Sequence, residues 1–200
     1  MMRKRTKISK AKKQTYAIIV DGKTEVWYFQ MLKRNEPGIQ VNIEPKIPQK
    51  KKLSEQYKKV CELAEYYTKV FWIIDLDKII QDNKLNDLIK LLRQLNVYGN
   101  VVSIINNPCL ELWFLLHYKP TSKYFPKCDE VEKELKKHLK DYKKTQKYFT
   151  KQNNDIYLRL KPNLKFAINN AKQINNKEFN KMKRSICEMN LFFDNEKIQL

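Results

Sequence analysis

The segment that most restricts the fold of this chain is Val70-Phe71-Trp72-Ile73-Ile74, an unbroken apolar run closed by Asp75-Leu76-Asp77. Such a run is too short for a helix, and as a strand it presents apolar side chains to both faces of its sheet. A sheet with one face in water is therefore excluded, and cover on both faces is required. Neighbouring segments repeat the pattern. Ala17 to Val20 is a second short apolar run, ended by Asp21-Gly22. Ile39, Val41 and Ile43 alternate with polar residues ahead of Pro45 and Pro48, which suits a half-buried strand near an edge. Val101 to Ile105 supplies a fourth strand.

Helical spacing fills the intervals. Thr24 is placed to cap a helix through Trp27, Tyr28, Met31 and Leu32, with Lys33 and Arg34 in its last turn. Leu53, Tyr57, Val60, Cys61 and Ala64 mark a second helix, and Leu85, Leu88, Ile89, Leu92 and Leu95 a third. Asn107 and Pro108 suit the cap and first position of a fourth, carrying Leu112, Leu115 and Leu116. Four such alternations predict an α/β fold: a four-stranded, mainly parallel sheet flanked by helices, with right-handed crossovers.

Three regions follow: a basic flexible arm over 1–14, the α/β core over 15–119, and a basic helical C-terminal region over 120–200, packed on that core. Its predicted helices carry Val131, Leu135, Leu139 and Tyr142, then Leu164, Ala167, Ile168, Ala171 and Ile174, then Met182, Ile186, Met189 and Phe193.

The formal net charge is +19, and residues 1–14 hold seven basic side chains and no acid, so the remainder still carries 34 basic against 22 acidic residues. That balance favours a polyanionic partner, nucleic acid first. With only three glycines, phosphate-cradling glycine loops are absent. Two histidines cannot build a multi-histidine metal site, so any metal is expected on oxygen. Cys61, Cys109, Cys128 and Cys187 match no zinc or disulfide spacing, and reduced thiols are expected. No apolar run approaches the ~20 residues of a membrane span, and the basic start lacks a secretory apolar region. We therefore expect a cytoplasmic protein without membrane contact.

In a parallel sheet, ligands bind at the carboxyl ends of the strands. Asp21 leaves the first strand there, and Asp75 and Asp77 leave the third, its neighbour in the strand order 2-1-3-4. Glu25, one turn into the following helix, points back to the same crevice. Unit charges ~4 Å apart repel by about 4 kcal/mol at an effective dielectric of 20, so converging carboxylates call for a hard divalent cation. Each acid also has a plainer use: Asp21-Gly22 as a turn, Glu25 as a first-turn charge, Asp77 as the start of a turn.

The segments Ile18 to Glu25 (IIVDGKTE), Phe71 to Asp77 (FWIIDLD) and Asn106 to Tyr118 (NNPCLELWFLLHY) together resemble the RloB-like family of TOPRIM-fold proteins. The resemblance spans about residues 16 to 118, and its third segment is the most specific. It implies a TOPRIM-like, Rossmann-like core, Mg²⁺-dependent cleavage of nucleic acid with Mn²⁺ as a substitute, and a role in bacterial defence against phage. It also implies an ABC-type or AAA-like ATPase partner, with self-association as a further expectation. Carried over, Asp21, Asp75 and Asp77 are the expected metal ligands, and Asp21, Glu25, Asp75, Asp77 and Glu111 the expected catalytic set. The family usually has Glu where Asp21 stands. Glu111 either reaches the crevice or answers the dipole of its own helix.

Lys23 and the basic loop Lys50, Lys51 and Lys52 are candidate nucleic-acid contacts. So are Lys137, Lys140, Lys144 and Lys147, which with Lys133 and Lys151 form a stripe if one helix runs that far. A solvated lysine face is the plain alternative. Tyr142, Tyr148 and Phe149 are read mainly as packing, and Trp72 and Trp113 as core. His117 is read as a helix end. The function expected is that of a metal-dependent nuclease, with a non-catalytic nucleic-acid-binding or regulatory subunit as the alternative.

Overall fold

The computed structural model describes residues 15–46, 52–175 and 184–194. The elements run β1 Tyr16–Ile19, α1 Lys23–Asn35, β2 Val41–Glu44, α2 Leu53–Ala64, β3 Lys69–Asp75, α3 Leu76–Gln81, α4 Leu85–Leu95 and β4 Val101–Asn107. The second part contributes α5 Glu111–Leu116, α6 Cys128–Leu135, α7 Gln146–Phe149, α8 Ile156–Leu160, α9 Leu164–Asn175, β5 Ile186–Cys187 and α10 Asn190–Phe193. The sheet order is β2-β1-β3-β4-β5, parallel throughout except for β5, which pairs antiparallel with β4. This is the expected α/β class, in a Rossmann-like arrangement with one strand more than the sequence pattern predicts.

The apolar run of β3 divides as its pleat requires. Phe71 and Ile73 join one core with α1, α5 and the C-terminal helices. Val70, Trp72 and Ile74 join the other, with α2 and α4. β1 divides the same way, Ile18 and Val20 toward the first core and Ala17 and Ile19 toward the second. Full burial of each large apolar side chain is worth roughly 1.5–3 kcal/mol, so a polar residue in either set is strongly disfavoured.

Several expectations are corrected. Helix α1 opens at Lys23 with Gly22 at its N-cap, so Thr24 lies in the first turn rather than capping it. Asp75 ends β3 and Asp77 already belongs to α3, a one-and-a-half-turn helix too short for a sequence periodicity. Helix α5 starts at Glu111 with Leu110 as N-cap, because Asn107 still belongs to β4 and its amide donates to the Arg184 carbonyl at 2.6 Å. Ile186 lies in β5, not in a helix, so the C-terminal region completes the sheet. Cys109 and Cys128 are joined in a disulfide rather than reduced: Cys109 precedes α5, Cys128 opens α6, and these helices pack together. Among the described residues, no helix is long and apolar enough to cross a membrane.

The C-terminal region is pinned to α1 by polar contacts. Arg34 reaches the buried Asp155 at 2.6 Å while Asp155 caps α8 through the Leu158 amide, and Tyr157 donates to Glu36 at 2.9 Å. Such a buried carboxylate is tolerable because its oxygens are taken by charged and amide donors.

Candidate active site

The carboxyl ends of β1 and β3 open into a cleft of about 350 Å³ lined by Asp21, Glu25, Asp75, Asp77, Lys78 and Lys144, among others. A second cavity of about 250 Å³ shares Asp21 and Asp75 and extends to Lys52, Gln56 and Lys84.

Asp75 sits at the centre. Its Oδ2 accepts from the Leu110 amide at 3.1 Å and its Oδ1 from Asn106 Nδ2 at 3.2 Å, so the loop between β4 and α5 holds the carboxylate from behind. Burial, followed by the nearby charges of Glu25 and Glu111, pushes its pKa well above the ordinary aspartate value. Glu25, on the first turn of α1, is 7% exposed and hydrogen-bonded to Asp75, while its Oε2 has no partner. Burial and then the charge of Glu111 raise its pKa to about 7. Gly22 makes room for it: a Cβ at that position would overlap Glu25 Oε2. Asp77 lies nearer the mouth, its Oδ1 accepting from the Lys78 amide at 2.6 Å, and burial raises its pKa as well.

Glu111 stands in the first turn of α5, behind the cleft, and its charge acts on Glu25 and Asp75. It is 1% exposed, accepts from Tyr142 Oη at 2.9 Å and pairs with Lys144 at 3.0 Å. Lys144 also pairs with Glu132 at 2.8 Å. Burial opposes its charge, but Glu111 and Glu132 outweigh that and hold its pKa above the ordinary lysine value.

Asp21 lines the same cleft as Asp75 and Asp77 but leans toward its α2 side. Continuing the alternation of β1, it follows Ala17 and Ile19 toward α2, whereas Asp75 follows Phe71 and Ile73 toward α1 and α5. Asp21 Oδ1 accordingly accepts from Gln56 Nε2 at 2.9 Å, and Gln56 Oε1 accepts from Trp72 Nε1 at 2.9 Å. Among the described residues, the group of three whose candidate ligand atoms all lie within 4.8 Å of one another is Cys109, Glu111 and Cys128, not Asp21, Asp75 and Asp77. Its sulfurs are bonded to each other and so are not thiolate ligands. The acids that cluster most deeply are Glu25, Asp75 and Glu111, with Asp77 and Asp21 toward solvent.

A hard cation suits this donor set. Every side-chain donor is oxygen, two carboxyls are raised first by burial and then by a neighbouring carboxylate, and one buried carboxylate oxygen is unpartnered. Asp75, Glu25 and Asp77 line the same cleft and would hold it, although among the described residues their oxygens do not form a group within 4.8 Å of one another.

Gln56 and Asn106 were not legible as site residues. A glutamine on an amphipathic helix carries no local signal, and its role depends on Trp72 and Asp21 lying beside it in space. Asn106 lay within a recognisable motif, but its partner Asp75 is 31 residues away.

The expected basic surface is only partly assembled. Lys23 is exposed on the cleft wall, and Lys52 lines the adjacent cavity. Lys50 and Lys51 lie outside the described residues. The proposed stripe is not one helix: α6 ends at Leu135, and Lys137, Lys140 and Lys144 fall on the turns before α7. Lys137 pairs with Glu134, Lys144 is taken by the acids, and Lys147 is exposed on α7. Tyr142 and Phe149 pack against Phe114, and Trp72 and Trp113 are fully buried. His117 is 1% exposed, with Nδ1 2.9 Å from the Trp113 carbonyl, and burial lowers its pKa to about 4, so it is a neutral core imidazole.

No curated protein and no solved structure gives a significant match to this chain. A family model described as RloB-like protein matches residues 16–195. That range takes in β1 through α10, including all the acids of the cleft and the segment between α6 and α7 that supplies Tyr142 and Lys144, and on it the chain belongs to the RloB-like protein family.

Proposed function

We propose that this protein is a TOPRIM-type, Mg²⁺-dependent nuclease, served also by Mn²⁺, that hydrolyses phosphodiester bonds in RNA, tRNA among them, or in DNA. The observation that carries this reading is the meeting of Glu25, Asp75 and Glu111, from three separate segments, at the carboxyl edge of the sheet in a chain of net charge +19. Asp75, Glu25 and Asp77 would hold the cation, which when bound neutralises the phosphate and acidifies water. Asp21, oriented by Gln56, accepts the proton of the attacking water. Lys23, exposed on the cleft wall, meets the phosphate from solvent. Asn106 and the Leu110 amide keep Asp75 in place while its charge changes.

The Asp75→Ala, Asp77→Ala double variant tests this. We expect it to lose Mg²⁺-dependent cutting of RNA or DNA while retaining binding; cutting at the wild-type rate rejects the reading. In the cell, the protein would act as the effector of an anti-phage system beside an ABC-type or AAA-like ATPase. Co-expression with that ATPase and phage challenge, wild type against the double variant, addresses that role.

Two observations favour the alternative of a non-catalytic nucleic-acid-binding or regulatory subunit. Lys144 already neutralises part of the acid cluster from within, and Asp21 is one methylene shorter than the family's usual Glu. The Asp21→Glu substitution separates the readings: gained cutting indicates a site that has lost its chemistry, and lost cutting indicates that Asp21 is the suited residue.

A further inference from the structure

Cys109, Glu111 and Cys128 meet behind the cleft, where the start of α5 packs against α6. Their donor atoms, two sulfurs and a carboxylate oxygen, all lie within 4.8 Å of one another, and all three residues are buried. The two oxygens of Glu111 are used differently. Oε1 takes Tyr142 Oη at 2.9 Å and Lys144 Nζ at 3.0 Å. Oε2 turns to the sulfurs, 3.0 Å from Cys128 Sγ. A disulfide sulfur carries no proton, so this contact gives the oxygen no hydrogen bond. In the bonded state, therefore, a carboxylate oxygen of a residue 1% exposed faces the sulfur pair without a donor among the described residues. A buried polar atom left in that position calls for an occupant.

The same three atoms change character when the bond opens. The disulfide takes two electrons and two protons from a small dithiol, which closes to its own disulfide, and two thiols remain. A divalent ion then displaces both thiol protons to solvent and binds two thiolates with Glu111 Oε2. From bond lengths of about 2.3 Å to sulfur and 2.1 Å to oxygen, two sulfurs on one tetrahedral ion stand about 3.8 Å apart, and a sulfur and an oxygen about 3.6 Å. Oε2 is already inside the second distance, and the cysteine Cα atoms are 5.7 Å apart, so turning the two cysteine side chains reaches that geometry with the helices in place. Two thiolates and a carboxylate select Zn²⁺ over Mg²⁺, which prefers oxygen throughout. Lys144 Nζ, 3.4 Å from Cys128 Sγ, offsets the negative charge that three such ligands leave on a dication, and with Tyr142 it holds Glu111 in orientation.

We propose that Cys109, Glu111 and Cys128 form a buried Zn²⁺ site in the dithiol state, with water in the fourth position, and that metal and disulfide are alternative closures of one place. The site is separate from the carboxylate cleft and does not depend on the nuclease reading. Either closure holds α5 to α6 and keeps the Leu110 amide, between two of the ligands, against Asp75.

The test uses the full chain in two forms: oxidised, and reduced with a dithiol that is then removed by anaerobic gel filtration. After incubation with Zn²⁺ and a second filtration, the reduced wild type is expected to retain one ion per chain beyond what the oxidised form retains. Zn²⁺ should raise the melting temperature of the reduced form and leave that of the oxidised form unchanged. Co²⁺ as a probe should give a thiolate-to-metal charge-transfer band and tetrahedral visible bands in the reduced form alone. Glu111→Gln should weaken Co²⁺ binding about tenfold or more while keeping the thiolate band, and Cys128→Ser should abolish the site. Cys61→Ser, at a cysteine outside the cluster, should change nothing.

Equal retention by both forms, with no thiolate band, assigns the metal to the cleft carboxylates and overturns the site. So does a band lost in Cys61→Ser, or Co²⁺ affinity unchanged in Glu111→Gln. The comparison of reduced with oxidised wild type decides the matter even if Cys128→Ser fails to fold. Mg²⁺-dependent cutting is no part of the readout, so failure of the nuclease reading leaves this result standing.

Discussion

Glu25 concentrates the electrostatic cost of the cleft in one side chain. Its pKa is raised from 4.5 to about 7, so between those values the folded protein holds more protons than the unfolded chain. Stability conferred by the protonated form is therefore lost as pH rises through that window. We expect Glu25→Gln to stabilise the metal-free protein at about pH 8 by on the order of 2 kcal/mol and to flatten the fall in melting temperature above about pH 5. Thermal melts across pH, with and without Mg²⁺, check this. The wild type should be stabilised by the cation and the variant much less; a variant that melts lower, with the wild-type pH slope intact, contradicts the assignment. Glu25 was legible because it stands in a short motif four residues after Asp21. Gln56 was not, because its meaning comes from Trp72 and Asp21 on either side of it.

At the level of elements, the alternation of β1 and β3 accounts both for what the sequence pattern places correctly and for where it errs. The apolar runs determine that both faces are covered, but the same two-residue period sends Asp21 toward α2 and Asp75 toward α1 and α5. Proximity of strand ends is thus readable from topology, whereas the side on which each acid lands needs the register. The α5–α6 pair carries the second surprise. The Cys109–Cys128 disulfide links the loop that holds Asp75 to the helix that bears Glu132, and Cys128 Sγ lies 3.0 Å from Glu111 Oε2. Its cysteines are 19 residues apart, and closing a loop of that order is worth about 3 kcal/mol against the unfolded chain. Reduction by a dithiol, or Cys128→Ser, should lower stability by about 2–4 kcal/mol and speed amide exchange in α6 more than in β3. Melting unchanged by reductant, or Cys109 and Cys128 both titrating as thiols in the unreduced unfolded chain, tells against the bond.

The whole molecule joins regions that the sequence pattern separates. One apolar cluster runs from Tyr16 to Phe193, and β5 extends the sheet from the C-terminal region, a contribution hidden because two residues carry no period. Net charge, by contrast, is read directly from the sequence, and it divides unevenly: residues 1–14 hold seven basic side chains while the described core begins at Thr15. Packing and charge should therefore separate on truncation. Deleting residues 1–14 is expected to leave the melting temperature unchanged, since both apolar clusters lie within the retained chain. It should weaken oligonucleotide binding and reduce the salt slope on single strands by up to about 5, at about 0.7 per lost phosphate contact. Fluorescence anisotropy over a salt series measures this, with Mg²⁺-dependent cutting followed in parallel. A reduced slope with cutting retained at saturating substrate places the first 14 residues in capture and the cleft in chemistry. An unchanged slope removes those residues from the interface and leaves the lysines around the cleft as the phosphate contacts.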